Sequence, residues 1–356
     1  MKAALLGLTH PHSGLIVNSL HHLKEVTAVA LWDPDPAALE NARGNPAPKA
    51  VEVFVELDRL LADPELVFAL VLLPSDRTAA ISRRVLEAGK HLITEKPGGI
   101  DSTEIAELLA LAESSGRLAS VLYPRRFHPC AEAARECFQA GMIGSLFSAE
   151  LRFLTTQVRF RQPDSWLFHQ QQSGGGILLW LGCHCLDLLH YITKDEITEV
   201  AGTLAIRSGE AIDVEDTAAL SFRMRSGTVG TFLAGYSLAF AGAGYDNQKG
   251  YDSYLGLNGR LGRIVWPDLE PRLQIESPPV GPGAPLRESR FELPPSPVYG
   301  GLAGERFFQK FFAAIRQEGA PPTTLADALR TARIIEAAAS SSKSDRFIKV
   351  LPTPFQ

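Results

Sequence analysis

Cysteine is scarce in this chain: Cys130, Cys137, Cys183 and Cys185 are the four among 356 residues. Four thiols in a chain of this length do not make a disulfide framework, which points to a reducing compartment. Cys183, His184 and Cys185 are consecutive, and neighbours on a helix point about 100° apart, so they cannot close on one ion and no metal is expected. Long hydrophobic runs are also missing. The most continuous, Leu66 to Leu73, falls far short of the roughly 20 residues that span a bilayer, so no membrane is expected as partner. Positive charge is not in excess either. A formal net charge of -5 removes the electrostatic footprint of a nucleic-acid binder. Met1 to Leu6 is too short an apolar stretch for a secretory signal, and the cytoplasm is the expected location. Internal repeats and low-complexity tracts are absent as well.

What remains is the composition of a globular protein, 45% hydrophobic and 21% charged. Its length exceeds the roughly 250–300 residues at which single cores tend to split, so two domains are expected. In residues 1–122, short apolar runs alternate with helical spacing. Lys2 to Leu6, Val26 to Trp32, Val51 to Phe54, Val67 to Leu73, His91 to Thr94 and Leu118 to Leu122 read as strands, the fourth fully buried. Helices are expected over Ser13–Leu23, Pro36–Arg43, Glu56–Ala62 and Asp76–Ala88, the last closed by Gly89. Another is capped by Asp101 with Glu104 three residues on and runs to Gly116. This alternation implies an α/β fold with a parallel, doubly wound sheet, a Rossmann domain.

Such a sheet binds a dinucleotide with a glycine turn after the first strand and an acid about 20 residues on. Gly7 and Asp33 stand in those places. Asp33 can accept from both ribose hydroxyls of NAD and would repel a 2′-phosphate, and Pro34-Asp35-Pro36 offers no arginine, so NAD is preferred over NADP. The turn departs from G-x-G-x-x-G: Thr9 occupies the second glycine's place and His12 the third's. The helix N-terminus still offers N–H groups to a pyrophosphate, with His12 or Ser13 as a further donor. His10 and His12 are otherwise solvated turn residues. Glu95-Lys96-Pro97 ends the fifth strand, which puts Lys96 at the sheet edge where ligands bind. Gly174-Gly175-Gly176 opens an apolar helix carrying His184. An amine and an imidazole brought to one cleft can manage the proton of an alcohol or carbonyl while a nicotinamide takes the hydride.

Taken in order, these segments and the Leu73-Pro74-Ser75 turn, Arg126-Phe127-His128-Pro129, Gly141-Met142-Ile143-Gly144 and Asp216-Thr217-Ala218-Ala219 resemble the Gfo/Idh/MocA oxidoreductases (glucose-fructose oxidoreductase, inositol dehydrogenase, rhizopine catabolism). The likeness covers nearly the whole chain. It implies a Rossmann domain followed by an α+β domain whose open, mostly antiparallel sheet forms a homodimer or homotetramer interface. It also implies that Gly7, Thr9, His10, His12, Ser13, Asp33, Leu73, Pro74, Ser75, Glu95 and Lys96 surround the cofactor. Lys96 would contact both nicotinamide and the reacting hydroxyl, and His184 would be the general acid/base. The pattern usually carries an aspartate four residues before that histidine; here Trp180 stands, with only a ring face and an N–H to offer. Asp187, three residues past His184, is placed to orient the imidazole instead. Thr78 stands where the family often has histidine.

Residues 123–356 are expected to form the second domain. Ser148–Leu154, Glu199–Ile206, Ala218–Met224, Thr228–Leu233, Tyr254–Leu257 and Gly262–Trp266 read as strands, with a hairpin at Ser226-Gly227. The proline-rich residues 277–300 read as an irregular excursion, and Gly304–Gln317 and Thr324–Ser341 as helices. Arg125 or Arg126 either grips a substrate group or forms an inter-domain salt bridge. Trp166 either stacks on a sugar ring or packs in the core. The glycines 174–176 either bring backbone close to a ligand or form a flexible turn. The expected activity is an NAD(P)-dependent dehydrogenase acting on a polyhydroxylated small molecule: a sugar, sugar derivative or cyclitol. The alternative is a dinucleotide-binding regulator without turnover, suggested by Trp180.

Overall fold

The computed structural model describes residues 1–43, 49–239, 250–267, 270–278 and 286–353. The chain forms two compact units. The first comprises Met1–Phe127 and Pro294–Leu329, the second His128–Leu293 and residues 330–353.

In the first unit, strands β1 (Lys2–Leu6), β2 (Ala28–Trp32), β3 (Ala50–Val53), β4 (Leu66–Val71), β5 (His91–Thr94) and β6 (Ala119–Val121) form a parallel sheet in the order β3-β2-β1-β4-β5-β6. Helices α1 (Ser13–His22), α2 (Pro36–Arg43), α3 (Leu57–Leu61), α4 (Ser75–Glu87) and α5 (Ser102–Ser115) connect them. β1 is buried at every position, and β4 at all but Val67, as unbroken apolar runs in a sheet covered on both faces should be. The α5 signals act as read. Asp101 accepts from the Thr103 and Glu104 N–H groups, and Gly116 takes φ 63°. Glu104 itself reaches back to the N–H of Ile100, one residue before the cap (2.9 Å).

The second unit continues with α6 (Pro129–Gln139), β7 (Leu146–Thr156), a short α7 (Gln170–Ser173), α8 (Cys183–Thr193) and strands β8 (Ile197–Ala205), β9 (Thr217–Met224), β10 (Val229–Leu238), β11 (Tyr251–Gly259), β12 (Gly262–Pro267), β13 (Arg272–Glu276) and β14 (Leu286–Arg290). The nine-stranded sheet, with β15 (Ile348–Lys349) at its edge, runs β14-β13-β12-β11-β7-β10-β9-β8-β15. It is antiparallel except for β7 against β10. Burial alternates strictly along β9, so one face is covered and the other open. Three strands are not among those expected from the sequence. β13 does alternate, Leu273 and Ile275 buried between more exposed polar neighbours, and was passed over, while the two-residue β15 is too short for a period. β14 lies in the stretch read as irregular, 277–300, because its polar Leu286–Arg290 pairs on an edge; residues 279–285 of that stretch lie outside the described residues.

The last two helices are α9 (Gly301–Ile315) and α10 (Leu325–Ser344). The division of the chain is not a single cut after residue 122. α9 places Phe307, Phe308, Phe311 and Phe312, all fully buried, in the same core as Leu5, Phe68, Leu70 and Ile93 of the first unit. Phe68 meets the rings of Phe311 and Phe312 edge-on at 5.5 and 5.7 Å. Each such side chain contributes about 1.5–3 kcal/mol of burial, enough to draw a segment back across roughly 170 residues of intervening chain. The segment Gln170–Thr193 is long and apolar enough to cross a membrane, yet 89% of its most apolar window is buried inside the protein. All four cysteines are free thiols.

Candidate active site

Four rungs align the carboxyl ends of the first sheet. Gly7 N–H donates to Trp32 O, Leu72 N–H to Leu6 O, Glu95 N–H to Val71 O and Leu122 N–H to Thr94 O, all at 2.8–3.0 Å. Gly7, Asp33, Leu73-Pro74-Ser75 and Glu95-Lys96 therefore lie along one edge, where a doubly wound sheet receives its ligand. Gly7 has φ 111°, and a Cβ on it would stand 1.9 Å from the Leu72 carbonyl oxygen, so no other residue fits. Asp33 is buried and braces the edge: Oδ2 accepts from Leu8 N–H (2.5 Å) and Oδ1 from Asp35 N–H (2.8 Å). Thr78 ties the Leu73-Pro74 turn through its hydroxyl, 3.1 Å from both carbonyls. Ser75 begins α4 and is buried.

The turn after β1 is not solvated. Thr9 is exposed, but His10 and His12 are only 4% and 2% exposed, so the reading of those two as solvated turn residues is corrected. Nδ1 of His10 accepts from His12 N–H (3.1 Å), the two rings meet edge-on at 5.0 Å, and Tyr299 packs on His12 at 4.7 Å. Ser13 turns its hydroxyl onto the Gly7 carbonyl (2.8 Å). Burial, reinforced by His12 and Lys96 nearby, holds the His10 imidazole well below its ordinary value, so it is neutral at neutral pH. Glu95 and Lys96 are each 2% exposed. Glu95 Oε1 lies 3.3 Å from His12 Nδ1 and 3.8 Å from Lys96 Nζ. The Lys96–Pro97 peptide is cis.

These residues fit a dinucleotide. The edge combines the tight turn at Gly7, closed against the Leu72 carbonyl, the N-terminus of α1, which is the next element after β1, and a carboxylate at the end of β2 for a ribose. Arg126 is otherwise engaged: its guanidinium pairs with Asp327 at 2.8 Å, and since both belong to the first unit this is not an inter-domain bridge.

In the second unit the glycine run has a local explanation. A Cβ on Gly176 would stand 1.9 Å from the Glu215 carbonyl oxygen, so its close approach is to the chain itself. The Glu215 carboxylate then accepts from Gly176 N–H (2.8 Å) and Leu178 N–H (3.1 Å). Burial pushes this carboxyl up, against the pull of those two bonds. Residues Leu178–Gly182 form a π turn that passes into α8, and Trp180, His184 and Asp187 are all buried there. Trp166 stands half-buried with its ring perpendicular to that of Trp180, 5.7 Å between centroids. The sequence pattern singled out neither Glu215 nor Asp327, because each meets its partner across tens to hundreds of residues. His128 was visible only as part of a motif. Its Nδ1 accepts from Cys130 N–H and caps α6, where Pro129 follows, and its ring stacks on Trp266 at 4.7 Å. Among the described residues no group of three or more His, Cys, Asp or Glu is placed to hold a metal ion.

Residues 2–123 match the oxidoreductase family with an NAD-binding Rossmann fold, and residues 131–264 match the GFO/IDH/MocA C-terminal domain. The chain belongs to the Gfo/Idh/MocA family of oxidoreductases. Among curated proteins it is 29% identical over 213 residues to trans-1,2-dihydrobenzene-1,2-diol dehydrogenase of Bos taurus, covering 60% of each chain. It is 23% identical over 329 residues to levoglucosan dehydrogenase of Pseudarthrobacter phenanthrenivorans, covering 82% of each. Its match thus spans about three fifths of the length of the first relative and more of the second. In fold it is similar to the structure of levoglucosan dehydrogenase in complex with NADH and levoglucosan, with a TM-score of 0.83 at 19% identity over 99% of this chain and all of that one. None of these relatives is a regulator without turnover.

Proposed function

We propose that this protein is an NAD-dependent dehydrogenase that moves a hydride between nicotinamide and a hydroxyl-bearing carbon of a sugar, sugar derivative or cyclitol. The observation that carries the reading is Lys96, buried at the carboxyl edge of the parallel sheet beside Glu95, on the same edge as Gly7 and Asp33. Gly7, the N-terminus of α1 and Ser75 would hold the pyrophosphate side of NAD, and Asp33 the adenosine ribose. The dinucleotide supplies a hydride acceptor, which no side chain can. Lys96 polarises the reacting oxygen, His184 exchanges its proton, and Asp187 orients the imidazole. Trp180 and Trp166 supply aromatic surface for a C–H face of the substrate, in place of the usual carboxylate.

The family relatives named above support a substrate of this class, since they act on levoglucosan and on a cyclic diol by name. The open face of the nine-stranded sheet, with Val229 and Leu233 about half exposed, supports assembly as a homodimer or homotetramer. Four free thiols support the cytoplasm.

NADH fluorescence titration tests the cofactor, with NADPH expected to bind more weakly. A panel of sugars, polyols, levoglucosan and trans-1,2-dihydrobenzene-1,2-diol, followed at the NADH absorbance band, tests turnover. Lys96→Met should lower kcat/KM by about a hundredfold or more with NADH affinity within a few-fold of wild type. An unchanged rate would remove Lys96 from the chemistry.

A further inference from the structure

The turn after β1 carries an imidazole in the third glycine's place, and that imidazole and the lysine approach one carboxylate. His12 comes from the turn between β1 and α1, Glu95 and Lys96 directly follow β5, and one oxygen, Glu95 Oε1, lies 3.3 Å from His12 Nδ1 and 3.8 Å from Lys96 Nζ. All three side chains are at most 3% exposed. A carboxylate so far from water is costly unless a positive or hydrogen-bonding partner compensates it. With water excluded, each contact to Oε1 also weighs more on the others. His10 stacks edge-on against His12 and is held neutral, and Tyr299 packs on the same ring at 4.7 Å. His12 therefore has little room to leave Glu95.

We propose that His12 and Glu95 are positioning residues for Lys96, with His12 fixing the Glu95 carboxylate and Glu95 fixing the charge and place of the lysine ammonium. The inference rests on Lys96 reacting as described under the proposed function. In this arrangement the turn that receives the pyrophosphate and the group that polarises the substrate oxygen are linked through one carboxylate oxygen. The charged and titratable groups concerned are His10 and His12 from the turn, Glu95 and Lys96 just past β5, and Tyr299 from the returning C-terminal segment.

The test is a variant cycle of Glu95→Gln, His12→Gln and the double variant, with Lys96→Met as reference. The substrate is the panel compound that the wild type oxidises fastest, at saturating NAD. Without the carboxylate beside it, the ammonium gives up its proton at lower pH. The alkaline limb of kcat/KM should therefore move to lower pH in Glu95→Gln and, by a smaller step, in His12→Gln. Each single variant should lose roughly tenfold at neutral pH, and the double variant should lose no more than Glu95→Gln alone, as expected of residues acting in series.

Multiplicative losses in the double variant, a pH profile unmoved while the rate falls, or a weaker NADH affinity with unchanged turnover would each overturn the link. A rate unaffected by Lys96→Met would overturn the reading beneath it as well. An intact dependence on Lys96 with an unmoved profile in Glu95→Gln would overturn the link alone.

Discussion

At the scale of single residues, the edge of the first sheet is governed by what burial does to polar groups. His10 is 4% exposed and accepts a backbone N–H, so the folded protein keeps it neutral. Its folded pKa is depressed below the unfolded value of about 6.5, so the unfolded chain binds the proton more readily. Stability is then full above about pH 6.5 and is lost as pH falls below it, at up to about 1.4 kcal/mol per pH unit for one such group. His21 and His91 are lowered in the same direction, chiefly by burial, and add to the acid sensitivity. His10→Asn keeps an acceptor for the His12 N–H but cannot titrate. The difference in Tm between pH 7 and pH 5 should therefore shrink, as scanning calorimetry at both values would show; an undiminished difference would assign the acid loss to other groups. Gly7, Asp33 and Lys96 were legible from spacing alone, since each sits at a fixed offset from a strand end. The approach of Glu95 to His12 was not. It closes over more than 80 residues, and no local period encodes it.

At the scale of elements, helical spacing over 304–317 was plain, but its destination was not. An amphipathic helix announces that it has an apolar face, not which sheet will cover it. The four phenylalanines of α9 decide the matter by filling the core beneath β1, β4 and β5. Phe311→Ala should leave a cavity that costs the first unit about 3–5 kcal/mol. Amide exchange in β1 and β4 should accelerate about a hundredfold or more in that variant, while unchanged protection would show that α9 does not hold the sheet. The sheet of the second unit was legible in its long alternating strands, β7 to β12. Its rims were missed because β15 offers two residues and β14 carries polar side chains on an edge, where burial leaves no pattern. The π turn before α8 was likewise invisible, and the Glu215 carboxylate that accepts from Gly176 and Leu178 at its start lies 39 and 37 residues away.

At the scale of the whole molecule, the first unit is discontinuous. Residues 294–329 complete a core whose other members lie before residue 128. Thr323 joins the rim as well, its hydroxyl donating to the Val121 carbonyl (2.6 Å) and accepting from the Val121 N–H. A fragment of residues 1–127 should therefore fail to fold alone, showing little protection from proteolysis. Co-expression with residues 294–329 should restore a protected species, and limited proteolysis with mass spectrometry would separate the two cases. A stable, protease-resistant 1–127 fragment would show that the returning segment is dispensable.

The order in which the chain is made then matters. When β6 leaves the ribosome, the nascent sheet has every strand it will own but lacks the aromatic plug of α9. Roughly 190 further residues must be translated first, on the order of 10–40 s at ordinary elongation rates. Throughout that interval the apolar bed that later receives Phe307 to Phe312 stands uncovered, which makes the half-synthesised protein a client for chaperones that recognise exposed hydrophobic surface.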